Sequence, residues 1–339
     1  DFTIHVELVG LQPQTRYLYR GSLQGKSPGT PCQFVTSPEP DILAPVTFVI
    51  GGDTRHSHLP FSIMQPMRDD HPDFFVYLGD TIYSEKETPA HTLQEYWGKY
   101  KENRDGFLKG LLAEIPVYVI WDDHEVDNDI DSNHKRLPTG RQAFFDFWPI
   151  RPNKQEPGRL YRSFSWGKGV DLFILDTRQY RDPETRTMLG EHQKQWLLKH
   201  LEASQAAVKF IVSSVPFSDP RKDKWGEYPG ERDEILTFIR ERSIPGVIFL
   251  AGDVHHGAVS RMPGFKDMKE FVFGPLAAPM NYKISPSEPR FEFFYQDTPN
   301  YGKITVHPHE AGPTVQIEWL DGQHRVIHRV IVEDGINHS

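Results

Sequence analysis

Short apolar runs alternate with longer amphipathic segments along the chain from residue 46 onward. Apolar runs of four to six residues indicate strands buried on both faces of a sheet, which is typical of α/β proteins. The pattern predicts strands at 46–50, 73–78, 117–121, 171–175, 209–213, 247–250, 303–306, 314–319 and 326–332. It predicts helices at 61–67, 92–112, 141–147, 190–201 and 231–240.

The first 40 residues have a different pattern. Polar and apolar residues alternate at 3–8 and 17–20, a turn is predicted at 27–31, and another extended run covers 32–36. The motif from Gly10 to Tyr17, Gly-Leu-x-Pro-x-Thr-x-Tyr, resembles the late strands of fibronectin type III domains. We therefore expect a partial fibronectin-III-like β module and linker at 1–40, followed by one α/β domain at 41–339.

Composition excludes several classes of protein. The 339 residues are 37% hydrophobic and 25% charged, which fits a globular protein with a large core. A net charge of −9 argues against a general nucleic-acid binder, so no stable nucleic-acid complex is expected. No apolar run approaches the roughly 20 residues of a transmembrane helix. The single cysteine, Cys32, excludes an internal disulfide and a thiolate cluster. The oligomeric state is left open.

Acidic residues and histidines follow four of the predicted strands directly. They are Asp53, Asp80, the pair Asp123 and His124, and the pair Asp253 and His255. The carboxyl ends of strands form the ligand crevice of an open α/β sheet, so we expect these residues on one rim of one sheet. Carboxylates gathered there repel one another unless cations are present, so the sequence predicts a metal centre. The alternative at each position is an ordinary turn, and 122–129 could equally be a solvated acidic loop.

Tyr83 narrows the choice of metal. Aspartate, histidine and tyrosine suit a hard or borderline ion. A phenol with a pKa of about 10 ionises at neutral pH only beside a strong Lewis acid, which favours trivalent iron. The alternative is that Tyr83 is an ordinary core tyrosine.

Four motifs together resemble the PhoD-like alkaline phosphatases and phosphodiesterases of the calcineurin-like metallophosphoesterase superfamily. They are Leu-Gly-Asp-x-Ile-Tyr at 78–83, Trp-Asp-Asp-His-Glu-Val-Asp-Asn at 121–128, Leu-Asp-Thr-Arg-Gln-Tyr-Arg at 175–181 and Gly-Asp-Val-His at 252–255. Gly-Asp-x-x-Tyr at 79–83 is also similar to purple acid phosphatases. The resemblance covers about residues 46–260. It implies a metallophosphoesterase catalytic domain at 41–339, built as a β-sheet sandwich flanked by helices.

The resemblance also implies two metals. Fe(III) would be held by Asp53, Asp80, Tyr83 and His255, with Asp80 bridging to a divalent ion held by Asp123 and Asp253. Calcium is the expected divalent ion, and an oxygen-rich site also admits Mg²⁺ or Mn²⁺ more readily than Zn²⁺. PhoD-like enzymes can carry cysteine at the position of Asp53, and the usual helper histidine has no counterpart near 211–216.

These assignments predict a metal-dependent hydrolase of small or polymeric phosphate esters, with a metal-bound hydroxide attacking phosphorus in line. His124 is expected to protonate the leaving oxygen or to stabilise the phosphoryl group, oriented by Glu125. Arg178 is expected to bind substrate phosphate, with Arg55 and Arg181 as weaker candidates. Residues 127–129 are candidates for completing a calcium shell.

Two other functions remain open at this point. One is a phospholipase D-type phosphodiesterase or a nuclease, and the other is a non-catalytic calcium-binding docking module. Substrate preference is expected to lie in the long polar loops at 130–160 and 275–300. The resemblance implies an exported protein, periplasmic or extracellular, although the visible chain carries no export signal.

Overall fold

The computed structural model describes residues 3–22, 24, 26, 29–309 and 312–333. Its strands are β1 (Arg16–Tyr19), β2 (Cys32–Val35), β3 (Val46–Gly51), β4 (Phe74–Tyr77), β5 (Val117–Val119), β6 (Arg162–Trp166), β7 (Val170–Ile174), β8 (Val208–Val212), β9 (Val247–Ala251), β10 (Gly257–Met262), β11 (Phe265–Val272), β12 (Phe291–Tyr295), β13 (Asn300–His307), β14 (Thr314–Asp321) and β15 (Val326–Glu333). Its helices are α1 (Met64–Asp69), α2 (Leu93–Glu102), α3 (Gly106–Glu114), α4 (Leu137–Phe147), α5 (Gly190–Ala203) and α6 (Pro229–Glu241).

Two mixed sheets pack face to face. The six-stranded sheet has the order β15-β14-β13-β3-β4-β5, and the seven-stranded sheet has the order β12-β10-β11-β9-β8-β7-β6. The rings of Phe48 on β3 and Phe210 on β8 meet edge to face at 5.3 Å, which joins the two sheets. Each sheet contains a parallel trio, β3-β4-β5 in one and β7-β8-β9 in the other, and β11 extends the second trio by pairing parallel with β9. Because the strands of each trio run in the same direction, the loops that follow them lie together at one edge of the sheet.

Side chains along β8 alternate between two cores. Phe210 and Val212 belong to the core between the sheets, which also includes residues of α1 to α4. Ile211 belongs to a second core beneath α5 and α6. This period of two buries both faces of the strand, as its continuous apolar run predicted. The predicted β-sheet sandwich flanked by helices is confirmed.

The predicted helix at 92–112 is wrong as a single element, because the chain forms α2 and α3 with a break between them. The side chain of Asn103 in the break donates hydrogen bonds to the carbonyls of Thr54 and Thr81, at 2.7 and 2.9 Å. Asp105 caps α3 by accepting from the backbone N–H of Leu108 at 2.8 Å. The break thus links the helices to the loops that follow β3 and β4.

Several other elements differ from the prediction. Residues 3–8 form no strand, β12 lies within the predicted loop at 275–300, and α4 begins at 137 rather than at the predicted 141. Strands β6, β10 and β11 were not predicted. In the predicted turn at 27–31, residues 27 and 28 lie outside the described residues. Strands β1 and β2 pair with each other antiparallel, and the division at residue 40 stays a prediction. Within the described ranges, no helix has the length and apolar character needed to cross a bilayer.

Candidate metal centre

The predicted metal-binding residues come together at one rim of the sandwich. Asp53, Asp80 and Asp123 follow β3, β4 and β5 of the six-stranded sheet, whereas Asp253 and His255 follow β9 of the seven-stranded sheet. The expectation that a single sheet carries the whole rim is therefore wrong. Since both parallel trios end here, the centre lies where the carboxyl ends of two sheets meet.

The chain reaches this rim through strained turns. Asp53, Asp80, Asp253 and His255 have positive φ angles of 64°, 50°, 68° and 56°. Such angles cost free energy for residues other than glycine, and they cluster at functional sites. Gly79 has a φ of 93°, and a Cβ atom there would lie 2.7 Å from the backbone nitrogen of Asp122. The glycine therefore lets the loops after β4 and β5 pack closely.

One half of the centre is formed by Asp53, Asp80 and His255, whose ligand atoms all lie within 4.8 Å of one another. Nε2 of His255 lies 3.3 Å from Oδ1 of Asp53 and 3.0 Å from the hydroxyl of Tyr83. Nδ1 of the same ring lies 2.5 Å from the carbonyl oxygen of Pro279. That contact holds the ring so that Nε2 faces the cluster, as in many metal-binding histidines.

Asp53 fits a metal ligand on its own chemistry. The residue is buried, and neither of its carboxylate oxygens has a hydrogen-bond partner within the described part of the chain. A buried carboxylate without a donor is costly unless a cation compensates its charge. The residues present here therefore fit a strongly charged cation.

The other half of the centre is more acidic. Asp122, Asp123 and Asp253 form one group with ligand atoms within 4.8 Å of one another, and Asp80, Asp123 and His124 form a second. Asp80 belongs to groups on both sides, which is the position of a bridging ligand. Carboxylate oxygens dominate this half, and they suit a hard divalent cation.

Burial and the neighbouring carboxylates raise the pKa of two carboxylates in the centre, Asp80 and Asp253. Burial, together with Asp123, Asp122 and Asp53, raises the pKa of Asp80 well above its usual range. Burial is also the main reason why the pKa of Asp253 rises to about 7. Asp123 differs: burial favours its protonated form, but Arg178, His124 and Lys224 together outweigh burial and lower its pKa to about 2. A cation would relieve the repulsion that favours protonation.

His124 lies beside these carboxylates with a charged partner of its own. Its Nδ1 atom is 2.8 Å from Oε1 of Glu85, and its Nε2 atom is 3.8 Å from Oδ2 of Asp80. The ring packs on Tyr83 with 4.1 Å between centroids. Burial lowers the pKa of His124, but Asp123 and Glu85 outweigh it and raise the pKa to about 9. This raised pKa favours the protonated imidazole at neutral pH.

Comparison with known proteins agrees with this geometry. The family model of the PhoD-like phosphatases matches residues 48–311, which include every residue of the centre. The chain belongs to the PhoD-like phosphatase family. The resemblance inferred from the motifs is therefore confirmed.

Individual relatives support the assignment of the chain to this family. Alkaline phosphatase D of Bacillus subtilis is 26% identical over 91% of this chain and 65% of its own length. Purple acid phosphatase 15 of Arabidopsis thaliana is 24% identical over 62% of this chain and 40% of its own length. The chain thus spans less than two thirds of the curated relatives that it matches.

Solved structures show the same fold. A PhoD structure superposes with a TM-score of 0.83 at 24% identity, covering 97% of this chain and 76% of that one. The purple acid phosphatase PPD1 of yellow lupin gives a TM-score of 0.68 at 15% identity, covering 96% of this chain and 62% of that one. At these identities the superpositions establish the fold.

In this PhoD-like chain Glu125 does not orient His124, and that expectation is wrong. Glu125 is fully buried and accepts hydrogen bonds from the backbone N–H groups of Asp80, Thr81 and Asp122, at 3.1, 2.5 and 2.7 Å. It therefore ties the loop after β4 to the loop after β5. The partner of His124 is Glu85 instead.

Arg178 does not fit the role of substrate clamp, because its side chain is fully buried and occupied by carboxylates. Its Nε atom lies 2.6 Å from Asp122, and its Nη1 atom lies 2.7 Å from Asp223. Arg181 is also buried and pairs with Asp223, so it too is directed inward. The sequence correctly places Arg178 beside the centre, but its role there is to neutralise the buried carboxylates of Asp122 and Asp223.

Arg55 and the acidic residues at 127 and 129 differ in their position relative to the centre. Arg55 lies at the mouth of the site, partly exposed, with its guanidinium 5.9 Å from the Tyr83 ring centroid and 2.8 Å from Glu87. Asp127 pairs with Arg136, so it is not available for a calcium shell. Asp129 remains close to the centre, because its backbone N–H donates to Oδ2 of Asp123 at 2.6 Å.

Sequence reasoning missed three charged residues of the centre, Glu85, Asp223 and Lys224. Nζ of Lys224 lies 3.0 Å from Oδ2 of Asp223 and 2.5 Å from Oδ2 of Asp253. For Asp223 and Lys224 a usable signal existed in the run of charged residues Arg-Lys-Asp-Lys at 221–224, in the segment after the buried strand β8. Charge runs are usually solvated, so only the tertiary structure reveals that this one turns inward.

Proposed function

We propose that this chain is a metal-dependent phosphoester hydrolase acting on small or polymeric phosphate esters. The proposal rests on Asp53, whose two buried carboxylate oxygens accept no hydrogen bond within the described residues. Asp53 forms one cluster with Asp80 and with His255, whose Nε2 atom also contacts Tyr83. Family membership supports the same activity. Since the chain spans only part of its relatives, the activity and substrates of the whole protein belong to this proposal.

The proposed metals are Fe(III), held by Asp53, Asp80, Tyr83 and His255, and Ca²⁺, held by Asp80, Asp123 and Asp253. The tyrosine supports iron: burial and the nearby carboxylates raise the pKa of Tyr83 well above its usual range, so only a strong Lewis acid would ionise it. When bound, the two metals would activate a water molecule and stabilise negative charge on the phosphate.

His124 is the proposed general acid. Its Nδ1 atom is engaged by Glu85, which leaves Nε2 directed toward the centre and able to give a proton to the leaving oxygen. Arg55 at the mouth is the proposed contact for the substrate phosphate, since Arg178 is buried. The partly buried His124 and the buried Tyr83 argue against a docking module, which needs neither imidazole nor phenolate.

Elemental analysis of the purified protein, together with its visible absorption spectrum, tests the metals. We expect about one equivalent of iron, calcium, and a broad charge-transfer band that Tyr83→Phe abolishes. Tyr161→Phe is the matched control, because its hydroxyl pairs with Glu156 and the band should be retained. A colourless protein active with two divalent ions would reject the iron–tyrosinate assignment and keep the hydrolase.

Hydrolysis assays test the reaction itself. We expect turnover of aryl phosphate monoesters or diesters that depends on added metal, and comparison with phosphatidylcholine vesicles separates a phospholipase D-type activity. Bound calcium without iron and without turnover would favour the non-catalytic calcium-binding module instead. Export, which the family resemblance implies, is tested by assaying cell fractions for the native protein.

A further inference from the structure

Asp253 already has positively charged partners within the protein. Nζ of Lys224 lies 2.5 Å from its Oδ2 atom, and Nη2 of Arg178 lies 3.9 Å from its Oδ1 atom. Only 13% of the Lys224 side chain is exposed, and its other carboxylate contact is Asp223, at 3.0 Å. Both oxygens of a proposed divalent-metal ligand therefore face a cation of the chain.

The two halves of the centre differ in this respect. Within the described ranges, neither Asp53 nor Asp80 pairs with a lysine or arginine, and their charged contacts are to His255 and His124. Asp123 resembles Asp253 instead, since its Oδ1 atom lies 3.5 Å from Nη2 of Arg178. The carboxylates of Asp53 and Asp80 thus need an external cation, whereas lysine and arginine side chains partly neutralise those of Asp123 and Asp253.

We propose that Lys224 is a resident counter-ion that competes with the divalent cation for Asp253. This inference rests on the proposed function, which assigns Asp253 to the divalent site. A cation that binds Oδ2 must displace the ammonium group, and Lys224 then keeps Asp223 as its partner. Two positive charges a few ångströms apart repel strongly where burial reduces screening. The divalent ion should therefore bind weakly and exchange, while the iron half stays loaded.

Calorimetric titration of calcium chloride alone into the purified protein, after passage over a chelating resin, tests the competition. Lys224→Met removes the charge and keeps the aliphatic stem, and we expect it to bind Ca²⁺ at least about tenfold more tightly. Lys224→Gln keeps a donor without the charge and should show the same change, which guards against misfolding of the first variant. Lys222→Met is the matched control. It is exposed on the same loop, and its affinity should change less than about threefold.

Thermal unfolding gives a second readout that does not depend on turnover. Without calcium, Lys224→Met should unfold at a lower temperature than the wild type, because Asp223 and Asp253 lose a buried partner. With calcium, its unfolding temperature should rise more than that of the wild type.

Two negative results are distinguishable. In the first, the wild type binds calcium and Asp253→Asn does not, but both Lys224 variants bind calcium no more tightly than the wild type. The proposed competition is then wrong, and the divalent site stands. If neither the wild type nor any Lys224 variant binds calcium, the proposed divalent site fails, and this inference fails with it.

Discussion

At the scale of single residues, the centre depends on pairs that set the charge of each group. Glu85 and His124 are such a pair, with 2.8 Å between Oε1 and Nδ1. Burial alone would keep the imidazole neutral, but Asp123 and Glu85 raise its pKa to about 9. Reciprocally, burial raises the pKa of Glu85, but His124 outweighs it and lowers that pKa to about 2.

Replacement of Glu85 by glutamine should move the alkaline limb of the pH profile to lower pH. The variant loses an opposite charge 2.8 Å from Nδ1, and such a charge shifts the pKa of a neighbouring group by about one to three units. Because Glu85 stabilises the protonated imidazole, its loss lets the proton dissociate at lower pH. The measurement is kcat/KM against pH, with Glu87→Gln at the mouth as control. An unchanged limb would reject His124 as the acid.

At the scale of elements, the turns after the parallel strands decide where the ligands point. Gly79 precedes Asp80 with a φ of 93°, and a Cβ atom there would meet the backbone of Asp122 at 2.7 Å. Gly264 in the β10–β11 turn has a similar φ of 78°, but no atom lies within 4 Å of a Cβ at that position. A comparison of alanine substitutions at the two glycines therefore separates the effect of backbone strain from the effect of steric contact.

Gly79→Ala should be more damaging than Gly264→Ala. The left-handed conformation alone costs about 1–2 kcal/mol in both variants. At Gly79 the contact with Asp122 adds to that strain and displaces Asp80, so we expect a larger loss in the free energy of unfolding together with loss of bound metal. Urea unfolding and metal content measure the two effects. Equal losses, with metal retained in both variants, would show that the contact has no role.

The elements also show what can be predicted from the sequence. The apolar runs of β3, β4, β8 and β9 are visible because both faces of each strand are buried, and candidate ligands follow β3, β4 and β9 directly. Strand β6 was missed because it alternates half-buried and exposed positions, with no continuous apolar run. The pairings of Glu85, Arg178 and Lys224 arise only when separate loops meet, so no local pattern encodes them.

At the scale of the whole molecule, the metal centre joins the two sheets. Asp53 and Asp80 extend from the six-stranded sheet, and Asp253 and His255 extend from the seven-stranded sheet. Cations bound at the proposed sites would therefore link the sheets at their shared rim, in addition to the apolar core. Without cations the same carboxylates repel one another across that rim.

Metal removal should therefore destabilise the protein, and more so at alkaline pH. One ion present at a hundred times its dissociation constant adds about 2.7 kcal/mol. In the metal-free protein, burial raises the pKa of Asp253 from 3.8 to about 7, so between these values the folded chain holds a proton that the unfolded chain has lost. Stability of the metal-free protein then falls as pH rises through this window.

The metal-loaded protein should show the opposite trend, because protons compete with cations for the same oxygens. The difference in unfolding temperature between loaded and chelator-treated protein should therefore widen from pH 5.5 to pH 8, as measured by calorimetry. Asp253→Asn removes this titrating group and should flatten the metal-free curve. A difference that stays constant with pH would mean that these carboxylates do not set the stability of the rim.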